Sequence, residues 1–274
     1  MSQSAVSQSI RQLEEFVQAP LLDRSSRPMA MTQEGEVLHR TSTEVLGRLA
    51  YTVEDLRKTG RSDNDAVTIS CNLGFATYWL MPRLNFFSAS FPDVAVNVMA
   101  AYQGDADFQS GADVAIRYGE GNWGDGDWQL LYNETIVPIC SPEYRERTET
   151  IATSDILAGR RLIHVAKIDP NWLSWEKYFK YIGCAEPLAS GGLRFGNYVQ
   201  AVQAALMGDG IMLGWRAVVG DLLKAQQLTV AFDHPVALES GFYFSKAQGL
   251  NEKPGIHEFI EWLQQQAAET PNFG

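Results

Sequence analysis

The strongest constraint in this chain lies beyond residue 65, where short β-branched runs alternate with stretches of helical period. The runs are Val67–Ser70, Val94–Met99, Asp113–Arg117, Ile136–Cys140, Leu162–Val165, Ile211–Leu213 and Phe242–Ser245. Helical spacing fills the intervals near 75–89, 172–182, 198–208 and 255–268. Strands that alternate with helices predict βαβ units and an α/β fold with a mostly parallel sheet. The chain has 274 residues, 45% hydrophobic and 20% charged, which excludes a disordered polymer and allows one large domain or two smaller ones. No run approaches the ~18 apolar residues of a membrane span, and residues 1–20 do not read as a secretory signal. Cys71, Cys140 and Cys184 form no CxxC pair, and His39, His164, His234 and His257 are scattered. Neither a disulfide scaffold nor a metal site is expected; no cofactor is called for, and a reducing cytoplasm fits.

Charge divides the chain. The net charge is −11, from 22 basic and 33 acidic residues. Residues 1–61 hold eight of each and are neutral, so residues 62–274 carry the whole excess. Only the first part is suited to approach DNA. The polar run Thr59–Asp65 separates the two.

In the first part, Ser2 is placed to cap a helix that runs to about Phe16. Val6, Ile10 and Leu13 then form one apolar stripe. The opposite face carries Gln3, Ser4, Ser7, Gln8 and Arg11. These side chains are suited to base edges and phosphates, although a solvated polar face explains the composition equally well. Leu21–Leu22 and Met29–Met31 flank the turn Ser25–Pro28 and predict a hairpin, with Arg24 and Arg27 at its tip for phosphate contacts. A long helix is expected from Thr32 to Lys58, about 40 Å in length. Its stripe of Leu38, Val45, Leu49, Val53 and Leu56 is too long for this small segment to cover, so a second copy of the helix is the economical partner.

Three strings carry a family resemblance: Ser2-Gln-Ser-Ala-Val-Ser-Gln-Ser-Ile-Arg-Gln-Leu-Glu-Glu15, Pro20-Leu-Leu-Asp-Arg24 and Met31-Thr-Gln-Glu-Gly35. They resemble the recognition helix, the wing and the start of the linker helix of the LysR-type transcriptional regulators. Further on, Phe75–Leu84, Asp113–Gly119, Ile139–Pro142 and Gly192–Phe195 resemble a subgroup that includes glycine-cleavage and β-lactamase-gene activators. The resemblance implies a winged helix-turn-helix segment (1–31), a dimerising linker helix (32–59) and a two-lobed effector-binding domain like the periplasmic binding proteins (65–274). Lobe I would comprise 65–139 and 240–274, and lobe II 140–239. The implied partners are promoter DNA, a small-molecule effector and a second copy, as homodimer or homotetramer, with no membrane. Two helices precede the recognition helix in that family, whereas here Met1 stands at its start. The expectation is therefore a truncated reader with DNA binding weakened or lost; the competing reading is a small-molecule sensor without DNA activity.

Ligands of open α/β sheets sit beyond the carboxyl ends of strands, often at helix N-termini. That rule selects Asn72, Gly74 and Phe75 after the first run, Arg117 and Tyr118 after another, Asn197 and Tyr198 at a helix start, and Tyr243. Arg117 suggests an anionic effector, unless it is paired with a carboxylate such as Glu120. Asn72 has an alternative role as a helix cap, and Tyr198 and Tyr243 as core aromatics. The Gly-rich stretch Gly119–Trp128 lies where a gate would be placed. Ser174-Trp-Glu-Lys177 matches the S-x-x-K of penicillin-recognising enzymes, but no Lys-Thr-Gly or Ser-Asp-Asn accompanies it, so no catalysis is expected.

Overall fold

The computed structural model describes residues 3–23, 30–39, 41–42, 45–46, 53, 65–101, 111–148, 160–166, 172–184, 192–247 and 253–270. The chain forms two units, Met1–Asn64 and Asp65–Gly274, treated separately below.

In the first unit, helix α1 spans Gln3–Val17 and ends at Gln18, which adopts a left-handed φ of 58°. Glu14 Oε1 then accepts the N–H groups of Leu21 and Leu22, turning the chain into strand β1 (Leu22–Asp23). β1 pairs antiparallel with β2 (Ala30–Met31), the hairpin expected from the two apolar runs. Thr32 caps the next helical stretch by accepting the N–H of Gly35. Gly35 is required there, because a Cβ would fall 2.1 Å from the Leu21 carbonyl oxygen. Ser7, Gln8 and Arg11 are exposed. Val6 and Leu13 of the apolar stripe are 40% and 43% exposed, and Ile10 is half-buried. Arg24, Arg27, Leu49 and Leu56, and the side chains of Gln3 and Ser4, lie outside the described residues.

The second unit opens with β3 (Val67–Asn72), whose residues through Cys71 are all buried. It pairs in parallel with β4 (Val96–Ala101) and β5 (Val114–Gly119). Helix α2 lies between β3 and β4: Leu73–Phe75, a π segment Ala76–Leu80, then Met81–Ser90. The mostly parallel sheet expected from the sequence ends here. β6 (Gln129–Cys140) and β11 (Val236–Lys246) are long strands that pair antiparallel, and β11 is antiparallel to β5 as well. β6 changes partners along its length. Residues from Gln129 to Ile136 pair with β11, whereas Ile136–Ile139 pair with β9 (Met212–Trp215) and Ile139–Cys140 with β10 (Thr229–Val230).

These strands form one seven-stranded sheet, in which β6 and β11 join two smaller sheets. On one side the order is β4, β3, β5, β11 and β6. On the other, β9 and β10 join β6, and β7 (Leu162–Val165) with its parallel partner β8 (Gly192–Phe195) is tied on through a Leu162–Ile211 bridge. Around this second sheet lie α3 (Pro142–Thr148), α4 (Trp175–Tyr181), α5 (Tyr198–Leu206) and α6 (Gly220–Lys224). The chain returns through β11 to α7 (Ile256–Glu269), whose Phe259 and Trp262 pack edge-on and tilted against Phe87 of α2. β11 breaks register between Ala237 and Gly241, the irregularity a strand needs to pass from one sheet to the other.

Candidate functional site

The cleft between the two sheets is built first by Asn72. Its backbone is extended, and Oδ1 accepts the Phe75 N–H at 2.8 Å. The first N–H groups of a helix have no intrahelical acceptor, so this cap aims the start of α2 into the cleft. Tyr198 approaches from the second sheet at the start of α5. Its ring is so close to Gly74 that a Cβ there would lie 2.7 Å from Tyr198 Cδ1. Only glycine permits that approach. Tyr198 Oη accepts the N–H of Trp215 at 3.1 Å, and burial pushes its pKa up.

The resulting cavity is lined by Asn72, Gly74, Phe75, Tyr118 and Phe242 on one side and by Trp172, Tyr198, Trp215 and Val218 on the other. Its aromatic walls interlock edge to face: Tyr198 lies 5.9 Å from Trp172 and 5.2 Å from Trp215, and Tyr118 5.8 Å from Trp215. The space beside the lining atoms, open mouth included, is about 250 Å³, but only about 10 Å³ can hold the centre of a water molecule. That is about one water's worth, so a metabolite needs the two sides to part. Arg83 of α2 holds them together through a bidentate pair with Asp221 of α6, at 2.7 and 3.3 Å.

Arg117 is not in this cavity. Alternation along β5 sends Tyr118 to the cleft and Arg117 to the opposite face. There its guanidinium makes two 2.8 Å bonds to Asp125, and the Trp128 and Trp123 rings lie 4.5 and 5.6 Å away. The partner is Asp125 rather than the expected Glu120, and its carboxyl is held below the usual range by the hydrogen bond from Arg117. Tyr243 shares this outer face, since it stands opposite Arg117 in the β5–β11 register and packs on Gly121 and Trp123. The Gly-rich loop therefore plugs the back of the sheet and does not gate the cleft. Asn197 caps α5 through Gln200 N–H and is not among the lining residues. Ser174 likewise serves as a helix cap, for Lys177 N–H.

Sequence reasoning missed Trp172, Trp215, Val218 and Phe242, which lack a motif and reach the cleft only through topology. It also missed Glu134. This residue stands where β6 changes partners, is 2% exposed, and accepts the N–H groups of Thr135 and Ala217 on Oε1, each at 2.9 Å. Its Oε2 and the Tyr132 hydroxyl are buried without a hydrogen-bond partner. Burial pushes the Glu134 pKa up to about 8, against the lowering effect of the surrounding N–H groups.

The same division appears in comparison with known proteins. Residues 60–268 match the model of the LysR substrate binding domain, and residues 1–36 that of the bacterial regulatory helix-turn-helix proteins of the lysR family. The chain belongs to the LysR family. These two parts make it a DNA-binding transcriptional regulator with an effector-binding domain. It is 29% identical over 274 residues to the glycine cleavage system transcriptional activator of Escherichia coli K12, covering all of this chain and 88% of that protein. It is 27% identical over 264 residues to the transcriptional activator AmpR of Citrobacter freundii, covering 96% and 87%. Among solved structures, the AmpR effector binding domain from Citrobacter freundii superposes with a TM-score of 0.61 at 26% identity, over 76% of this chain and all of that one. The full-length Vibrio cholerae activator AphB shares the fold, with a TM-score of 0.55 at 17% identity over 96% and 89%. These LysR-family relatives are regulators rather than enzymes.

Proposed function

We propose that the effector of this LysR-family regulator binds in the cleft between lobe I (65–139 and 240–274) and lobe II (140–239), at Asn72, Gly74, Phe75, Tyr118 and Tyr198. The observation that carries the reading is the Gly74–Tyr198 contact, a side chain of one lobe seated on the backbone of the other at a helix N-terminus. The walls are aromatic and the lining residues include no basic side chain. The charge of an anionic effector is therefore met by the Asn72 side-chain amide N–H and the N–H groups of Leu73 and Gly74, the Phe75 N–H being taken by Asn72 Oδ1, and not by Arg117. The site binds and does not catalyse. Effector binding selects one lobe arrangement, and that selection re-angles the DNA readers. Melting the protein across a metabolite panel tests the site. A ligand at a hundred times its Kd stabilises by about 2.7 kcal/mol. Gly74→Ala is expected to drive the Tyr198 ring out, cost about 1–3 kcal/mol in stability, and abolish that shift. A ligand that stabilises Gly74→Ala as well as the parent binds elsewhere.

DNA reading falls to Gln3, Ser4, Ser7, Gln8 and Arg11 of α1, with Arg24 and Arg27 on the hairpin, in a cytoplasmic homodimer or a homotetramer built from it. Support comes from the exposed polar face of α1 and from Val45 and Val53, which stand exposed in a single chain. No helix among the described residues is long and apolar enough to cross a membrane. Arg11→Ala should lower specific binding by about 1–3 kcal/mol while sparing non-specific binding. Arg27→Ala should weaken both alike and reduce the salt slope by about one. Gel-shift titrations on promoter and random DNA separate the two; an unchanged specificity ratio for Arg11→Ala removes α1 as the reader.

A further inference from the structure

A larger cavity, of about 180 Å³, lies wholly within the second lobe. Its lining includes the end of β7 and the segment that follows, Ile163 to Ala166. Trp172, Trp175 and Trp215 form its walls. Its polar side chains are His164, Arg194 and Ser174, and none of its lining residues is acidic. That composition is unusual for a chain whose second part carries the entire net charge of −11.

The strand register explains the grouping. β7 and β8 run parallel with His164 opposite Arg194, and neighbours in register project to the same face. Ile163 and Leu193 turn the other way, toward the core. Gly192 keeps β8 close to β7, since a Cβ there would lie 2.3 Å from the Leu162 carbonyl oxygen and 3.0 Å from His164 Cδ2 and Nε2. Arg194 is exposed at the rim, and among the described residues its guanidinium has no carboxylate partner. Trp175 is fixed by its indole N–H, which donates to the Ile163 carbonyl at 2.9 Å. A fork of guanidinium donors beside flat, rigid indole walls suits a planar body that ends in a carboxylate.

We propose that lobe II carries a second binding pocket, distinct from the cleft, for a small aromatic or otherwise planar carboxylate. Arg194 and His164 hold the carboxylate, and Trp172, Trp175 and Trp215 hold the ring. The pocket shares Trp172 and Trp215 with the cleft cavity, and the two rings lie 4.9 Å apart. Its ligand thereby fixes two walls of the cleft, and the two sites are coupled in both directions. The proposal stands apart from the cleft reading, because every lining residue belongs to one lobe.

The test titrates benzoate, and benzamide as its uncharged counterpart, against intrinsic tryptophan fluorescence of the full chain at constant ionic strength. Benzoate should bind at least tenfold more tightly than benzamide. Arg194→Gln, a rim change that should leave the melting temperature unaltered, should weaken benzoate at least tenfold and leave benzamide unchanged. Equal binding of the two compounds, no saturable response to benzoate, or indifference to Arg194→Gln overturns the proposal. So does benzoate binding that survives Arg194→Gln and is lost in Gly74→Ala, since that places the anion in the cleft.

Discussion

Replacing Glu134 by glutamine is expected to flatten the pH dependence of stability between about pH 5 and 8. The carboxyl is buried, and its pKa in the folded protein is raised from an ordinary 4.5 to about 8. Between those values the folded protein keeps a proton that the unfolded chain has released. Its contribution to stability is complete below the unfolded pKa and is lost as pH rises toward the folded one. The slope is about 1.4 kcal/mol per pH unit, which accumulates to an amount on the order of 5 kcal/mol. Glutamine keeps an oxygen to accept the Thr135 and Ala217 N–H groups and has no proton to lose. Urea melts of both proteins at pH 5, 6, 7 and 8 give the comparison. The glutamine variant should gain on the parent with each step upward, and parallel curves would mean that Glu134 titrates normally. The residue joins β6 to the turn that follows β9. A pH-dependent lobe equilibrium in the parent should vanish with the same substitution.

The first lobe was legible because its signals are local. An apolar run ending at Cys71, an asparagine and then a glycine predict a strand followed by a capped helix, and β3 and α2 follow. The wing was equally readable, since Leu21–Leu22 and Met29–Met31 flank a turn. The antiparallel half of the sheet was not. β6 spans twelve residues, but Asn133 and Glu134 interrupt its apolar pattern, so only Ile136–Cys140 reads as a strand. The polar residues are tolerated there because a neighbouring turn supplies N–H groups to Glu134, a contact 83 residues away in sequence. β11 hides its first half for a similar reason, with Glu239, Ser240 and Gly241 at its register break. Of the residues that the rule of strand ends selects, Asn72, Gly74, Phe75, Tyr118 and Tyr198 line one cavity. Arg117 and Tyr243, which it also selects, lie outside that cavity, because the rule selects a strand end but not a face. Adjacent residues on β5 point to opposite sides, and a decision between Arg117 and Tyr118 needs the sheet around them. Asp125 and the two tryptophans show why Arg117 tolerates 6% exposure on the side away from the cleft.

Trp79→Ala is expected to produce the largest loss of folding stability and to reach the cleft indirectly. Trp79 is fully buried in the π segment of α2. Its ring stacks on Phe75 at 4.8 Å and lies 5.7 Å from Tyr132, and its indole N–H donates to Thr270 Oγ1 at 3.1 Å. Arg83, the residue that bridges the lobes through Asp221, packs over the same ring at 4.8 Å. A π segment places one extra residue in a turn and frequently accompanies a functional helix. Here it carries Trp79 between the end of α7 and the aromatic that lines the cavity. Truncation to alanine leaves a void behind Phe75 and removes the indole N–H that donates to Thr270 Oγ1. Large-to-small changes of this kind cost about 3–5 kcal/mol. For a unit of this size that corresponds to a fall in melting temperature of roughly 10 °C. Phe75 and Arg83 lose their support together, so effector affinity should fall even at temperatures where the variant is folded. Trp79→Phe separates the two effects, since it preserves the stacking on Phe75 and loses only the hydrogen bond, worth about 1 kcal/mol. Calorimetry on both variants, with effector titrations at 15 °C, reads each quantity. If Trp79→Ala unfolds early yet binds effector as tightly as the parent at 15 °C, Phe75 is held by its other contact, with Phe242 at 4.9 Å, and the path from the π segment to the cleft is absent.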